Sequence, residues 1–278
     1  MHLFDEAIDL KRIREGDNFV VFSGMAHPAF TNMIGPFGGW SAAILAKAMM
    51  VSAGEDMELV SITTDFMAGV QEGPIEIETR CDRAGRNTEF WSARLTGIDG
   101  QVLGTRATGI LSRRRDTISW TEGQCPKVPD PESCERFEVP MAWTKTLEIR
   151  NASNQAFKLN KPTEDMNSSA WVRIDPPRAL DAAALVALAD TPTPRLFLAL
   201  GRPDVISTVS MTVYIHASKE DFAKTCDDYL LVDTDGARGH RGFYDQHARM
   251  WSRDGRLLAT TQQIVWYKTA AEPAVQTG

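Results

Sequence analysis

The chain has 278 residues, of which 43% are hydrophobic and 24% are charged, and its formal net charge is −7. This length and composition allow a large buried core in one or two domains, and they exclude disordered and fibrous classes of protein. The acidic balance opposes binding to nucleic acid, which depends on clustered Lys and Arg side chains that neutralise phosphates.

The N-terminal segment, MHLFDEAIDLKRIREG, carries acidic residues among its apolar ones, which is unlike a signal peptide. The longest apolar run of the chain, from Ala42 to Val51, is far shorter than the ~20 residues that a membrane span requires. We therefore expect a soluble cytoplasmic protein with no membrane span. The four cysteines fit no CxxC or Cys/His metal spacing, so neither a metal nor another cofactor is expected.

The first long helix is predicted in the segment GPFGGWSAAILAKAMM, residues 35–50, which is apolar on nearly every side. Such a helix has to be enclosed by other elements, because a helix on a surface keeps one polar face. Its start is marked by the glycine pair Gly38-Gly39. The strand pattern ELVSITTDFMAG follows at residues 58–69, so sheet comes directly after this helix.

A pair of β-patterned runs comes next, NTEFWSARLTGIDGQVLGTRATGILSR at residues 87–113, joined by the hairpin signal Asp99-Gly100. The same pattern returns in GFYDQHARMWSRDGRLLATTQQIVWYK at residues 242–268, around Asp254-Gly255, at an offset of 155 residues. Self-similarity at so long a period indicates that one structural unit occurs twice in the chain.

The second hairpin is preceded, as the first is, by a strand pattern and by an apolar helix. These lie at residues 205–217 and, for the helix, at residues 179–190. Between the two halves, residues 116–140 are rich in proline and charge and show no sustained period, which is typical of a linker. We therefore predict an N-terminal domain over residues 1–115 and a C-terminal domain over residues 141–278.

Each apolar helix can be enclosed by one strongly curved antiparallel sheet, which the long strands after it supply. This arrangement is the hotdog fold. We predict an α+β double hotdog, in which two tandem curved antiparallel sheets each wrap a central apolar helix. Since the duplication already supplies one internal pair of helices, the chain is expected either as a monomer or as a homo-oligomer joined through an outer sheet face or edge.

The sequence resembles the double-hotdog acyl-CoA thioesterases, particularly those of the acyl-CoA thioesterase II type. The resemblance rests on GPFGGWSAAILAKAM and GRNTEFWSARL in the first half and on ALVALADTP, ISTVSMTVYIHA and GRLLATTQQIV in the second. It implies hydrolysis of an acyl-CoA thioester without a cofactor, a role in lipid metabolism, and acyl-CoA as the binding partner. Members use an Asp at the end of the second central helix, a Thr or Ser on the following strand and a Gln on the last strand. These positions correspond here to Asp190, Thr208 and Gln263.

One departure from the family touches this region. Many members have Asp-His two residues after the Thr, where this chain has Ser210-Met211. The subgroup and the acyl specificity therefore stay open, and so does a second interpretation, a non-catalytic double hotdog that binds acyl-CoA or lipid. A hotdog hydratase would be a third, but its Asp and His in a helix-adjacent motif are not found in the sequence.

The chemistry of the three residues fits the implied reaction. Asp190 closes an apolar helix, where burial and the negative end of the helix dipole both disfavour its charge, and a raised pKa suits a general base for water. Thr208 and Gln263 are neutral groups that donate and accept, so they could hold the water and the thioester oxygen. The alternative for Asp190, a side-chain cap of the turn DTPTP, stays open at this point.

The glycine pair and Trp40 are the expected contacts to the substrate. A helix that begins at Gly38 and Gly39 leaves its first N–H groups open to a substrate carbonyl, where an oxyanion would develop. Equally, the two glycines could serve only tight packing, and Trp40 is expected either in the core or in the wall of an acyl tunnel. The first-half counterpart of Gln263 at the 155-residue offset is Thr108, which is shorter, so the two halves are not expected to be catalytically equivalent.

Overall fold

The computed structural model describes residues 1–97, 103–153 and 157–269, so the predicted hairpin signal Asp99-Gly100 lies outside the described residues. The α-helices within them are α1 (Leu3–Ala7), α2 (Gly38–Ser52), α3 (Ala182–Leu188), α4 (Arg195–Leu200) and α5 (Lys219–Thr225). Short 3-10 turns lie at Pro28–Phe30, Pro131–Ser133 and Ala142–Thr146.

The strands of the first half are β1 (Lys11–Glu15), β2 (Phe19–Ala26), β3 (Thr31–Asn32), β4 (Gly35–Pro36), β5 (Glu58–Phe66), β6 (Gly73–Ala84), β7 (Thr88–Gly97) and β8 (Leu103–Ser112). The strands of the second half are β9 (Leu147–Asn151), β10 (Ser168–Ile174), β11 (Ile206–Ile215), β12 (Leu230–Asp235), β13 (Gly239–His240), β14 (Phe243–Ser252) and β15 (Leu257–Tyr267). The hairpin predicted at Asp254-Gly255 is the β14–β15 turn, and Gly255 takes a φ of +85° there, a conformation that favours glycine.

In the described part of the chain, thirteen strands form one antiparallel sheet, which makes the fold α+β. The order is β1-β2-β6-β7-β8-β5-β11-β15-β14-β12-β10-β9, with β13 paired to β14, and β3 and β4 form a separate ribbon. Six strands of the first half are thus followed by six of the second in mirrored order. The two halves join edge to edge at the β5–β11 ladder, which pairs Ile62 with Val213.

The helix predicted within residues 35–50 is confirmed as α2, and it lies in the centre of the core. It contacts β5, β6, β7, β8 and α3. The side chains of Ile44, Leu45 and Met49 are fully buried, as expected for a helix that is apolar all round. No helix among the described residues has both the length and the apolar character needed to cross a membrane.

The second apolar helix, α3, is shorter than predicted at both ends. It begins only at Ala182 because Asp181 caps it, with its Oδ1 accepting the N–H of Ala184 at 2.8 Å. It ends at Leu188, so Asp190 lies in the turn that follows the helix. This shift matters for the site, because a side chain beyond the last helical residue is free of the helix periodicity.

The predicted linker packs on the second half along the free edge of β9. The N–H of Phe137 donates to the carbonyl of Ile149 at 2.7 Å, and the N–H of Asn151 donates to the carbonyl of Glu135 at 3.0 Å. This segment satisfies the edge that β9 would otherwise expose. The opposite edge strand, β1, has the sequence KRIRE and is exposed at every residue. Its charged side chains disfavour pairing with a strand of another molecule. The domain limits at residues 115 and 140 stay predictions.

The contact between α2 and α3 generates a stability prediction. A Cβ at Gly39 would lie 2.3 Å from the carbonyl oxygen of Ala187 and 2.5 Å from the ring of Phe37. Gly39→Ala should therefore lower the free energy of unfolding by about 1–3 kcal/mol, because the helices have to separate. Gly54→Ala is the matched control, since a Cβ there comes no closer than 3.9 Å to Met57. Urea unfolding measures both, and a Gly39→Ala protein as stable as wild type would contradict the close contact.

Candidate active site

Asp190 brings its carboxylate to the start of the other central helix, α2. Its Oδ1 accepts a hydrogen bond from Gln263 Nε2 at 3.1 Å, and the carboxylate also accepts the backbone N–H of Gly39. A Cβ at Gly38 would lie only 2.7 Å from Asp190 Oδ2. The glycine pair therefore serves close approach at both positions: Gly39 lets the helices meet, and Gly38 leaves room for the carboxylate.

Burial raises the pKa of Asp190 to about 7, while the Gly39 N–H and the Gln263 amide oppose this rise by stabilising the charged form. The direction agrees with the sequence analysis, but one of the two expected causes was wrong. The carboxylate accepts from the first turn of α2, so it faces the positive end of a helix dipole rather than a negative end. Loss of contact with bulk water outweighs this favourable dipole.

A cavity of about 260 Å³ opens beside Asp190, at the junction of the two halves. The second half contributes Asp190 and Thr208 to its wall, and the first half contributes Gly38 and Ser41. Asp190 keeps part of its surface towards this cavity while protein surrounds it elsewhere. Apolar side chains supply much of the remaining wall: Met33, Ile34, Phe66, Met67, Val70 and Ile206.

Thr208 reaches the cavity because β11 carries a bulge. In the ladder with β15, Thr208 pairs with Val265 and Ser210 pairs with Ile264, which leaves Val209 without a partner. If side chains alternated strictly from the buried Met211, Thr208 would point outward. The extra residue, Val209, shifts this alternation by one position, so Thr208 turns to the inner face. A bulge of this kind leaves no clear mark on the hydrophobic pattern of the sequence.

Gln263 is 6% exposed and lies on the inward register of β15, as one of the two neighbouring glutamines had to. Its Nε2 also lies 3.3 Å from the carbonyl oxygen of Ala189, and its Oε1 accepts from Gln246 Nε2 at 3.3 Å. Gln246 was not predicted. The signal was present, because Tyr244, Gln246 and Ala248 alternate inward along β14.

The comparisons with known proteins agree with this geometry. The acyl-CoA thioesterase N-terminal domain family matches residues 27–113, and the acyl-CoA thioesterase C-terminal domain family matches residues 122–267. The chain belongs to the acyl-CoA thioesterase family. Its members are thioester hydrolases, and the resemblance inferred from the sequence motifs is thereby confirmed. A sequence search of curated proteins gave no match.

Solved structures related to this acyl-CoA thioesterase share its fold over nearly the full length. A conserved protein of unknown function with a hot dog fold from Alicyclobacillus acidocaldarius is 35% identical, with a TM-score of 0.88 over 98% of this chain and 100% of that one. Acyl-CoA thioesterase II TesB2 from Mycobacterium marinum is 15% identical, with a TM-score of 0.76 over 97% and 99%. A TesB protein from Mycobacterium avium subspecies paratuberculosis is 18% identical, with a TM-score of 0.76 over 96% and 98%.

In this thioesterase Trp40 does not line the cavity. Its side chain is fully buried, and its Nε1 donates to the carbonyl of Ala7 at 2.8 Å. Gly38 and Ser41, three residues apart, share the helix face that meets the cavity, whereas Trp40 lies on another face. The structure thus gives Trp40 the core position that the sequence left open as one alternative, and it does not bring Trp40 to the substrate.

The first-half counterpart of Gln263 is Gly109 rather than Thr108. Thr108 is exposed and Gly109 is buried. In the β7–β8 ladder Trp91 pairs with Gly109, and in the β14–β15 ladder Gln246 pairs with Gln263. The two pairs occupy equivalent positions in their hairpins. The first half therefore has an indole and a glycine where the second half has two amides, and a Cβ at Gly109 would lie 2.9 Å from Met49 Sδ.

A difference in turn length explains this correction. β7 ends at Gly97 and β8 begins at Leu103, whereas β14 ends at Ser252 and β15 begins at Leu257, so the second connection is one residue shorter. The offset of 155 therefore holds only as far as the turn and becomes 154 after it. A shift of one residue exchanges the two faces of a strand.

The raised pKa of Asp190 predicts how stability depends on pH. Between the ordinary value of 3.8 and the folded value of about 7, the folded state holds one proton more than the unfolded state. The contribution of Asp190 to stability is therefore full at about pH 4 and declines as the pH rises to about 7. Asp190→Asn should match wild type near pH 4 and exceed its free energy of unfolding by about 4 kcal/mol at pH 8, because the pKa differs by about three between the two states and each pKa unit corresponds to ~1.4 kcal/mol.

Urea unfolding of both proteins across this range measures the difference. Taking the difference between the two proteins cancels the titration of every other carboxyl group. A difference that stays constant from pH 4 to pH 8 would show that Asp190 titrates alike in the folded and unfolded states.

Proposed function

We propose that this chain hydrolyses an acyl-CoA thioester to a free acid and CoA by means of a water molecule that Asp190 activates. The observation that carries the proposal is a carboxylate with a pKa of about 7, facing a cavity whose wall also holds Thr208 and the first turn of α2. A base whose pKa lies near the working pH is ionised often enough to act and basic enough to take a proton from water.

The reaction proceeds in two steps with balanced protons. Ionised Asp190 takes a proton from water as the water oxygen bonds to the thioester carbonyl carbon, and the carbonyl oxygen becomes an oxyanion. The backbone N–H of Gly38 belongs to the unpaired first turn of α2 and stabilises this charge. The carbon–sulfur bond then breaks, and protonated Asp190 returns its proton to the CoA thiolate.

Thr208 and Gln263 have different tasks in this mechanism. The hydroxyl of Thr208 lies in the cavity wall and both donates and accepts, so it holds the attacking water. The amide of Gln263 is already bonded to Asp190 Oδ1 and fixes the carboxylate for attack. The N–H of Gly39 also donates to this carboxylate, so it binds the base rather than the substrate.

The apolar part of the cavity wall supports an acyl group as the portion that enters. Met33, Ile34 and Met67 are largely exposed at its rim, and Phe66 and Ile206 continue the apolar surface inward. Burial of aliphatic carbon against these side chains would provide binding free energy without a specific polar partner. A CoA thioester thus presents its acyl chain to this wall and its carbonyl to the first turn of α2.

We also propose that the mirrored strand order represents two hot dog units in one chain, a double hotdog with α2 and α3 as its central helices. A homo-oligomer through an outer sheet face or edge stays a prediction, which light scattering would decide.

A non-catalytic acyl-CoA or lipid-binding protein is the second candidate. It is favoured by Met211, which occupies the position of the family departure and whose Sδ lies 3.4 Å from Gln263 Nε2. A panel of acyl-CoA substrates with detection of free thiol separates the two candidates, because a binder releases no CoA at any acyl length.

Replacement of the base is the sharpest test of the mechanism. Asp190→Asn should lower turnover by about two to four orders of magnitude, the range for removal of a positioned base, while the protein stays folded. If Asp190 were only a turn cap, Asn would replace it well, whereas Asp190→Ala would destabilise by about 0.5–2 kcal/mol and leave turnover per folded molecule intact. Full activity in a folded Asp190→Asn protein would refute the mechanism.

The hydroxyl of Thr208 generates a paired prediction. Thr208→Val keeps the shape of the side chain without its hydroxyl and should lower kcat by about 100-fold or more. Thr208→Ser keeps the hydroxyl and should retain most of the activity. Steady-state kinetics on one acyl-CoA measures both, and equal rates in the Val and Ser variants would remove Thr208 from the mechanism.

A further inference from the structure

A second buried amide stands behind Gln263, and the proposed reaction does not use it. Gln246 is 3% exposed and lies directly opposite Gln263 in the β14–β15 ladder. Its Nε2 donates to Gln263 Oε1 at 3.3 Å. A chain of two amides therefore runs from β14 through β15 to the carboxylate of Asp190.

The neighbours of the Gln263 amide match only one of its two orientations. Its Nε2 faces two acceptors, Asp190 Oδ1 at 3.1 Å and the carbonyl oxygen of Ala189 at 3.3 Å. Its Oε1 faces the donor of Gln246. A reversed amide would place its oxygen against the Ala189 carbonyl, which has no proton to donate.

The amide of Gln246 lowers the stability of the folded state, and side-chain packing alone does not explain why it is there. Its Oε1 is buried and has no hydrogen-bond partner in the part of the chain that the structure describes, and such an atom destabilises the folded state. The first half forms the same ladder with Trp91 and Gly109 at these positions. Since the sheet forms there without any amide pair, the pair beside Asp190 has a purpose other than folding.

We infer that Gln246 is a positioning residue, which fixes the amide of Gln263 so that its N–H groups point at Asp190. The inference rests on the proposed role of Asp190 as the base. By donating to Gln263 Oε1, Gln246 also polarises that amide, which strengthens the hydrogen bond that Gln263 donates to the carboxylate. Among the described residues, Gln246 bonds to Gln263 rather than to the carboxylate, and it does not line the cavity.

The other described groups around Asp190 do not titrate in the working pH range, so a change in the pKa of Asp190 can be attributed to Gln246. α2 contributes the N–H of Gly39, which does not titrate. β14 contributes Tyr244, whose pKa is raised by burial and by the nearby charge of Asp190, so Tyr244 stays neutral over the working range. Arg195, from α4, acts on Tyr244 and donates to the carbonyls of Met166, Thr193 and Thr234.

The test is Gln246→Leu, which removes the amide and keeps much of its volume. Without its anchor, Gln263 should hold the ionised carboxylate less well, so kcat should fall about 10- to 100-fold with little change in KM. The ionised form of Asp190 loses stabilisation, so its pKa rises and the acid limb of the kcat–pH profile moves to higher pH. A carbon-13 NMR titration of the Asp190 carboxyl, assigned with Asp190→Asn, measures this shift directly.

Gln262→Leu is the matched control, because it removes the neighbouring amide on the exposed face of the same strand. It should leave kcat and the titration of Asp190 unchanged. In a Gln263→Leu background, Gln246→Leu should cause no further loss, since the two residues act through one hydrogen bond. The thermal midpoint of Gln246→Leu should change little, because the unpaired Oε1 of Gln246 is removed while Oε1 of Gln263 loses its donor.

Three outcomes would overturn the inference: a folded Gln246→Leu protein with unchanged kcat and Asp190 titration, a loss of activity that follows only the unfolded fraction, or additive losses in the double variant. If the wild-type protein released no CoA, the proposed function would fail, whereas the NMR titration would still decide whether Gln246 acts on Asp190.

Discussion

The buried carboxylate of Asp190, held between the N–H of Gly39 and the amide of Gln263, is the interaction on which the arrangement of the whole site depends. One donor comes from the first half of the chain and the other from the second. The two halves therefore have to meet to within hydrogen-bond distance at this point. The β5–β11 ladder and the close packing of α2 on α3 impose that distance, and two glycines in succession make it sterically accessible.

This dependence explains why two halves with mirrored strand order carry an asymmetric site. In both halves the same ladder register turns one residue of each hairpin strand towards the central helices. The first half fills these positions with Trp91 and Gly109, and Gly109 leaves room for the side chain of Met49. The second half has Gln246 and Gln263 at these positions in place of apolar packing. The first half thus uses the two positions to pack its core, whereas the second half uses them to place polar groups beside the carboxylate of Asp190.

The sequence predicted those parts of the molecule that depend on local pattern. An all-apolar helix at Gly38–Ser52 follows from composition and periodicity, and the turn at Asp254-Gly255 follows from turn chemistry. The carried-over Asp190 and Gln263 do form a hydrogen bond. These features need no knowledge of how distant segments are paired.

The features that the sequence did not reveal all depend on register or on tertiary contact. The bulge at Val209 decides which face of β11 Thr208 occupies, and a bulge inserts one residue without altering composition. A turn shorter by one residue moved the counterpart of Gln263 from Thr108 to Gly109. The dipole acting on Asp190 was misjudged because the carboxylate reaches across to α2, and no local pattern could indicate that its partner lies in the other half.

Comparison with a second buried carboxylate shows why the donors at Asp190 are neutral. Glu148 is 4% exposed, and burial raises its pKa as it does that of Asp190. Hydrogen bonds with Tyr229, Arg173 and Arg150 nevertheless bring the pKa of Glu148 down to about 2, so this carboxylate stays charged and serves an ion-pair network. Asp190 has an amide and a backbone N–H in place of two guanidinium groups. Two neutral donors orient a carboxylate without cancelling the effect of burial, and that balance leaves its pKa near neutrality, where a base for water is useful.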